Sequence, residues 1–294
     1  MIRQIFRKAR TGLELGLVAL LASTQASCQD AAKTNKKIVY ESHPSISDKT
    51  VLYDTSNSDY KRIFEKNLST GKITEIPLDY MAIYSHPEKI NKILYAIKQE
   101  RRGGSTNLVK IENGKETSIA KGYFLELNKT LDGTQRLVAS RGIDEDLKNE
   151  QKDGIYLIDP KSGNVDYILD SIGNNPQVYD NKLHTDFQGK VYEQDLAKQS
   201  KPAEIKKLGY LGNVEQVIPI SNGKYKGDIL AMIQDKQNPK NYDIWRYSKT
   251  GPAYKVTSSG GIKSSFDVSY SEPDKSYEIV CTSANGKIRS YEMK

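Results

Sequence analysis

A short sequence pattern recurs along this chain at intervals of about 40 to 50 residues, and no other feature limits the fold as much. The clearest copy is NKTLDGTQRLVAS, from Asn128 to Ser140, in which a polar turn precedes a short apolar strand. Related copies begin near Ser42, Ser85, Tyr179, Ser221 and Ser271. Self-similarity at such a period indicates a repeat architecture, and four short strands in each unit are what one blade of a β-propeller requires.

The strands of the first three units can be placed from apolar residues that alternate between turn residues. We predict strands near residues 38–41, 50–54, 61–67 and 72–77 in unit one, 80–85, 92–98, 107–112 and 115–119 in unit two, and 123–127, 136–140, 154–159 and 164–169 in unit three. Units five and six cover about 215–257 and 266–293. The predicted fold class is therefore all-β, a six-bladed β-propeller of four-stranded antiparallel blades.

Two details of the repeat concern its turns and its ends. A glycine occupies the turn between the third and fourth strands in four units, at Gly71, Gly114, Gly163 and Gly251. A tight hairpin turn at these positions predicts a positive φ. The fourth unit uses residues 197–202 instead. The sixth unit has only three strands, and because residues 37–41 fit the first blade, we expect the ring to close on a three-stranded blade.

The first 27 residues have the pattern of an export signal. Basic residues precede a short apolar core, LGLVALLA from Leu15 to Ala22, which is too short to span a bilayer. The segment ends in TQASC, which resembles the lipobox of bacterial lipoproteins, so we expect residues 1–27 to be removed and Cys28 to carry a lipid. Because Gln25 stands where that motif has an aliphatic residue, cleavage after Ala26 without lipidation is the alternative.

Residues 28–36 predict a polar tether, and residues 37–294 predict the propeller. The expected location is the bacterial cell envelope, as an outer-membrane lipoprotein or free in the periplasm.

Removing residues 1–27 takes away four basic residues and one acidic residue, so the net charge falls from +7 to +4. This mild charge, without a basic motif, predicts no nucleic-acid partner. Cys281 is predicted to be a buried thiol in an apolar strand, with a disulfide to Cys28 as the alternative.

Three segments resemble the repeat of TolB-like propellers, which are related to the WD type. They are SEPDKSYEIVCTS from Ser271, NKTLDGTQRLVAS from Asn128 and IYLIDPKSGNVDYIL from Ile155. The resemblance extends over residues 37–294, although only the third unit keeps the Asp132-Gly133 pair, and the first two units carry Ser-His-Pro. It implies the propeller fold but no single function, because the group includes periplasmic partner-binding proteins, glycan lyases and peptidase-associated propellers.

Residues with catalytic or metal-binding chemistry form no recognisable motif in the sequence. His43 and His86 occupy equivalent positions in the first two units, which predicts repeated turn residues between the first and second strands. His184 has no motif around it, and the His, Cys and carboxylate spacing typical of a metal site is absent. The acidic run from Asp144 to Asp146 is typical of a solvated loop. We therefore expect no catalytic residues, no metal and no cofactor.

Loop length gives the best indication of a binding surface. The long insertions, residues 99–106, 141–153 and 234–242, all lie between the second and third strands of a blade, so they emerge on one face. Because variable loops on a rigid scaffold concentrate binding residues, we predict that this face binds an envelope protein. The residues expected to contact it are Arg101, Arg102, Asp144, Asp146, Lys236, Lys240 and Tyr242. Tolerated surface insertions are the alternative explanation.

The sequence therefore predicts a non-catalytic propeller that binds or scaffolds an envelope protein and is held at the membrane by an N-terminal lipid. The alternative is a polysaccharide-active lyase or hydrolase with its site in the central channel. A glycan partner is suggested by nineteen tyrosines against five phenylalanines. Strand propensity also explains tyrosine positions such as Tyr53, Tyr95, Tyr156 and Tyr192.

Overall fold

The computed structural model describes residues 40–47, 49–57, 60–100, 106–142, 153–169, 173–198, 200–257 and 262–294. These residues belong to one unit, Val39–Lys294. Their regular structure consists of antiparallel β-strands and one helical turn. Within these ranges, no helix is long and apolar enough to cross a membrane. The predicted signal peptide, the tether and Cys28 lie outside the described residues.

The strands form four hydrogen-bonded sheets. The first contains β1 (Tyr40–Ser47), β2 (Thr50–Asn57), β3 (Tyr60–Asn67) and β4 (Ile73–Glu75). The second contains β5 (Ala82–Ile90), β6 (Ile93–Glu100), β7 (Thr106–Glu112), β8 (Lys115–Lys129), β9 (Leu137–Gly142), β10 (Gly154–Ile158) and β11 (Val165–Leu169). In both sheets each strand pairs with the next one along the chain.

The strands of the third sheet also pair in chain order, and those of the fourth do so except at one strand, which pairs with the next two along the chain. The third contains β12 (Asn174–Tyr179), β13 (Lys182–Phe187), β14 (Lys190–Asp195) and β15 (Ala203–Glu204), and the helical turn α1 (Lys206–Gly209) follows it. The fourth contains β16 (Val214–Pro219), β17 (Ile229–Gln234), β18 (Tyr242–Tyr247), β19 (Tyr254–Lys255), β20 (Ile262–Ser271), β21 (Ser276–Ser283) and β22 (Ile288–Met293). The last unit has three strands in the described residues, β20 to β22, as the sequence predicted.

Two pairs of the predicted four-stranded units are each joined into one hydrogen-bonded sheet. β8 runs unbroken where two strands were expected, and its first half pairs with β7 while its second half pairs with β9. Residues 120–122, between the two predicted strands, stay extended because they pair with residues 106–108 of β7. A single pairing of Tyr242 with Ile262 joins the fifth unit to the sixth.

The apolar core lies between neighbouring sheets rather than at one centre. Ile46 and Val51 of the first sheet pack with Val280 and Ile288 of the last. Clusters of the same kind join the other neighbouring units. Because a central strand is covered on both sides, the second strand of a unit is buried without alternation, as in β17, where Ile229 and the four residues after it are all buried.

The first strand of each unit faces the middle of this arrangement. These inner strands are β1, β5, the second half of β8, β12, β16 and β20. Each contacts the next in that order, and β20 also contacts β1. The backbone N–H of Glu41 donates to the carbonyl of Gly286 at 2.8 Å, so the first strand is also tied to the last sheet.

Most of the turn glycines behave as the repeat predicts. Gly71, Gly114 and Gly163 have φ values of +70°, +75° and +75°. Gly251 does not have the positive φ that was predicted for it. Pro252 follows Gly251, and a residue before proline is restricted to extended backbone conformations.

Cys281 is buried in β21 as expected, and burial raises the pKa of its thiol to about 12.

Candidate functional site

The Ser-His-Pro segments of the first two units form β-bulges, not turns. The turn prediction for His43 and His86 is therefore wrong, because both residues lie within the inner strands β1 and β5. In each strand two residues, His43 and Pro44 or His86 and Pro87, oppose one residue of the neighbouring strand. A proline is tolerated here because the bulge lies on an edge strand, where its missing N–H breaks no ladder bond.

The bulge turns both histidine side chains toward the same point. The φ values of His43 and His86 are +47° and +51°, a left-handed conformation that histidine adopts more readily than most residues. Their ring centroids lie 3.7 Å apart with a 32° angle between the ring planes. β12 repeats the arrangement with Asn175, which has a φ of +45° and precedes Pro176.

Two carboxylates complete this cluster, which we call the histidine cluster (His43, Asp54, His86 and Glu126). Nδ1 of His43 lies 2.7 Å from Oδ2 of Asp54, and the same oxygen accepts the backbone N–H of His86 at 3.1 Å. Nε2 of His86 lies 2.9 Å from Oε2 of Glu126, but not in hydrogen-bond geometry. Asp54 is fully buried, and its Oδ1 has no hydrogen-bond partner within the described residues.

Charge within the histidine cluster shifts the two imidazoles in opposite directions. Burial disfavours charge on His43, but Asp54 outweighs it and the pKa of His43 is raised. Burial and then the nearby His43 lower the pKa of His86. Burial opposes ionisation of Asp54 and Glu126 as well, but the histidines outweigh it and lower the pKa of both carboxyls. At neutral pH both carboxylates are therefore charged.

A second charged group lies on the same inner strands. Nζ of Lys129, on β8, donates to the backbone carbonyl of Ile46 at 3.0 Å and lies 3.5 Å and 3.7 Å from the carboxylates of Asp267 and Glu88. Ser45 donates to Glu88 at 2.7 Å. Burial raises the pKa of Glu88 to about 7 although Lys129 opposes it. This group links β1, β5, β8 and β20 by polar contacts.

A cavity of about 30 Å³ lies beside the histidine cluster and is lined from every inner strand. Its polar and aromatic lining includes His43, His86, Glu88, Glu126, Asn175, Gln216, Ser265, Phe266 and Asp267. The volume suits an ion or one or two water molecules. Burial, with Glu126 and Glu215 nearby, raises the pKa of Asp186 on β13 to about 7.

The binding residues predicted from the sequence lie elsewhere. Lys236 and Lys240 are exposed on the connection between β17 and β18, and Tyr242 is half-buried at the start of β18. Nζ of Lys236 donates to the carbonyl of Tyr210 at 3.0 Å, and the hydroxyl of Tyr242 donates to Glu215 at 3.4 Å. The other predicted residues, Arg101, Arg102, Asp144 and Asp146, lie outside the described residues.

Sequence reasoning missed the histidine cluster because its members are far apart in the chain. Asp54 is 11 residues from His43, and Glu126 belongs to a third unit. One signal was present in the sequence. His43 and His86 occupy the same position of adjacent repeats, and equivalent positions of neighbouring inner strands lie side by side around the axis of a propeller.

The sequence matches no protein-family model and no curated protein. Solved structures are similar in fold. TolB from Acinetobacter baumannii matches over 82% of this chain, with a TM-score of 0.55 and 13% identity. Regucalcin, a calcium-binding protein from Agrobacterium tumefaciens, matches over 84% of this chain and 83% of its own, with a TM-score of 0.55 and 14% identity. The β-propeller domain of the Trilobed protease from Pyrococcus furiosus matches over 89% of this chain and 82% of its own, with a TM-score of 0.52 and 11% identity.

The fold is that of a β-propeller. The chain spans 62% of the length of TolB, and identities of 11 to 14% show the fold of the propeller alone. The three matched proteins differ in kind, so the similarity selects no function for this propeller.

Proposed function

We propose that this protein is an exported, six-bladed β-propeller that binds an envelope protein without catalysing a reaction. In this proposal Cys28 carries the lipid that holds the propeller at the membrane, either in the outer membrane or facing the periplasm. The similarity to TolB, together with the export-signal pattern predicted for the first 27 residues, supports an envelope location.

The closed ring of six blades is part of the proposal. Three observations support it: the unbroken series of contacts between inner strands, the single cavity that all of them line, and the bonds from β1 to the last sheet. The carboxylate of Glu41 accepts the backbone N–H of Ile288 at 2.7 Å, and Thr282 donates to the carbonyl of Glu41 at 2.9 Å. In the proposed ring, these contacts join the first strand to the last sheet through side chains and loops, without a shared ladder.

The main support for a binding function is the position of the exposed apolar side chains. Of the eight large hydrophobic side chains that are exposed within the described residues, five lie where inner strands begin. They are Tyr80, Met81, Tyr123, Leu125 and Tyr210. We call these five the entry-face residues. The other three, Ile73, Tyr167 and Tyr254, lie on the outermost strands β4, β11 and β19.

The entry-face residues share a side of the propeller with the long loops predicted to bind. Successive strands of a blade run in opposite directions, so the connections between second and third strands emerge where the next inner strand begins. The contact between Lys236 and the carbonyl of Tyr210 joins one such connection, between β17 and β18, to the segment that leads into the inner strand β16. The proposed binding face therefore combines the entry-face residues with Arg101, Arg102, Asp144, Asp146, Lys236, Lys240 and Tyr242.

The chemistry of this face fits a protein partner. Tyrosine, methionine and arginine are enriched at the centres of protein interfaces, and exposed aromatic side chains supply large contact areas at small entropic cost. Tyr210, Tyr80 and Met81 are 76%, 64% and 63% exposed, so each offers most of its surface. The guanidinium of Arg62 lies 3.9 Å from the ring centre of Tyr80 and orders it before binding.

The test is a pull-down from solubilised envelope with purified residues 29–294 on a support. The informative variant combines Tyr80→Ala, Met81→Ala and Tyr210→Ala. The matched control combines Ile73→Ala and Tyr254→Ala, which are 52% and 51% exposed but lie on outermost strands. We expect a partner that is retained by the native protein and the control and lost by the entry-face variant. Equal retention by all three proteins, or no retained protein at all, would contradict the proposal.

A polysaccharide-active enzyme is the second candidate, because the histidine cluster lies in the channel where such a site was expected. His43 paired with Asp54 could act as an acid or base. The cavity volume argues against it, since about 30 Å³ does not admit a sugar ring. Release of reducing or unsaturated ends from acidic polysaccharides by the native protein, and not by a His43→Gln variant, would favour the enzyme.

A further inference from the structure

We propose that the histidine cluster binds one divalent transition-metal ion at the axis of the propeller, through His43, Asp54 and His86, with Glu126 within reach. This site is independent of the proposed binding face. The sequence predicts no metal, because these ligands come from three strands, β1, β2 and β5, and form no local motif.

The geometry brings three donors of suitable type together. One ligand atom from each of His43, Asp54 and His86 can be chosen so that all three lie within 4.8 Å of one another. Donors around a tetrahedral zinc ion with bonds of about 2.1 Å are roughly 3.4 Å apart, so small side-chain rotations complete the site. The two strands that carry the histidines are held in place by the bulges described above.

Unpartnered polar atoms at the site point to a missing ligand. Oδ1 of Asp54 is buried, and the side chain of Asp54 is 0% exposed. Nδ1 of His86 is also buried without a hydrogen-bond partner within the described part of the chain. Leaving a buried polar atom unpaired is costly, and native proteins usually satisfy such atoms with protein, water or an ion.

The charge balance favours a cation. Within the described residues, Asp54 and Glu126 form ion pairs with the two histidines and with no lysine or arginine. Lys61, on β3, acts on Asp54 and His43 from a greater distance. Lys129 neutralises part of the second charged group, where Glu88 and Asp267 face it. A divalent ion would neutralise Asp54 and Glu126 directly.

The donor set selects the class of metal. Two imidazole nitrogens and a carboxylate oxygen suit zinc and neighbouring first-row ions, whereas calcium and magnesium prefer sites made of oxygen. The ion would join the first blade, through His43 and Asp54, to the second, through His86. Binding to the folded state alone would also stabilise the propeller.

The experiment uses untagged residues 29–294 after treatment with a chelator, and the probe is Co²⁺. We expect visible d–d absorption of bound Co²⁺ at a ratio of about one ion per chain, removal of that absorption by Zn²⁺, and no removal by Ca²⁺ or Mg²⁺. Zn²⁺ should also raise the midpoint of thermal unfolding by at least about 2 °C. The double variant His43→Gln and His86→Gln should lose both effects.

His184→Gln is the matched control, because His184 is a histidine paired with a carboxylate, Glu193, outside the cluster. It should bind Co²⁺ like the native protein. Circular dichroism confirms that each variant is folded, and the single variant Asp54→Asn, which keeps both imidazoles, should weaken Co²⁺ binding at least tenfold. Absence of Co²⁺ absorption and of a thermal shift in the native protein would overturn the proposal. Absorption that persists in the double variant would place the ion elsewhere and would also overturn it.

Discussion

At the scale of single residues, Glu193 shows how partly buried polar contacts support the fold. Its carboxylate lies 3.1 Å from Nε2 of His184, 2.9 Å from Nζ of Lys182 and 3.3 Å from Nζ of Lys249. The hydrogen bond with His184, followed by the one with Lys182, lowers the pKa of Glu193 well below its usual range, although burial opposes this. The side chain of His184 is 4% exposed, so the carboxylate also satisfies a histidine in the core.

Glu193→Gln should lower the free energy of unfolding by about 2 kcal/mol at pH 7. The folded pKa is below the unfolded value of about 4.3, so the carboxylate stabilises fully above the unfolded pKa. This stabilisation disappears as the pH falls through the folded pKa. Urea denaturation at pH 7 and at about pH 3 should therefore show a smaller difference between native and variant proteins in acid. Glu292→Gln, at a carboxylate that is 56% exposed, should have little effect at either pH. A difference that stays constant or grows in acid contradicts this interpretation.

The residues of the histidine cluster could not have been found from spacing. Each histidine lies in a bulge at positive φ, and the bulge sets the direction of its side chain. The position of a bulge depends on how the strands pair and cannot be read from the local sequence. Ser-His-Pro predicts a turn from its composition, since serine and proline are typical turn residues. The edge position of the inner strand allows the same residues to remain within a strand.

At the scale of strands and turns, local patterns predicted most of the structure. β10 was expected at residues 154–159 and is Gly154–Ile158, and β11 was expected at residues 164–169 and is Val165–Leu169. These strands are set by apolar alternation and by a glycine turn, both of which are local. The course of β8 across two units was missed, because nothing local distinguishes a continuous strand from two strands separated by three residues.

The turn glycines offer a test with an internal control. Gly71→Ala should lower the free energy of unfolding by about 1 kcal/mol, because positive φ is sterically unfavourable for alanine. An added methyl group at Gly71 meets no atom within 4 Å, so the effect reports the backbone alone. Gly251→Ala should change stability by less, since Gly251 is not at positive φ. Equal losses for the two variants, measured by urea denaturation, would contradict this difference.

At the scale of the whole molecule, the first strand and the last sheet hold the ends of the propeller together. Glu41 is central to this contact, since its carboxylate accepts the backbone N–H of Ile288 and lies 3.0 Å from Nζ of Lys287. The side chain of Glu41 is 11% exposed, and its bond with the N–H of Ile288 is buried. The apolar cluster of Ile46 and Val51 with Val280 lies beside them.

Glu41→Ala should therefore lower the free energy of unfolding by about 2 kcal/mol, because it leaves a buried N–H without its acceptor. The amide of Ile288 should exchange with solvent faster in the variant than in the native protein. Glu112→Ala, which removes an exposed pair with Lys110, is the control and should cost less than about 1 kcal/mol. Equal stability of the two variants, with exchange of Ile288 at its native rate, would contradict the proposed closure of the ring by the first strand.

Site-specific photocrosslinking in the native envelope tests the proposed binding face most directly. A photoreactive amino acid replaces Tyr80 or Tyr210 on the entry face, or Tyr254 on an outermost strand, where the three side chains are 64%, 76% and 51% exposed. The binding proposal predicts one discrete adduct with an envelope protein from the Tyr80 and Tyr210 positions and none from the Tyr254 position. Adducts from Tyr254 alone, or the absence of an adduct at all three positions, would contradict a protein-binding role for this face.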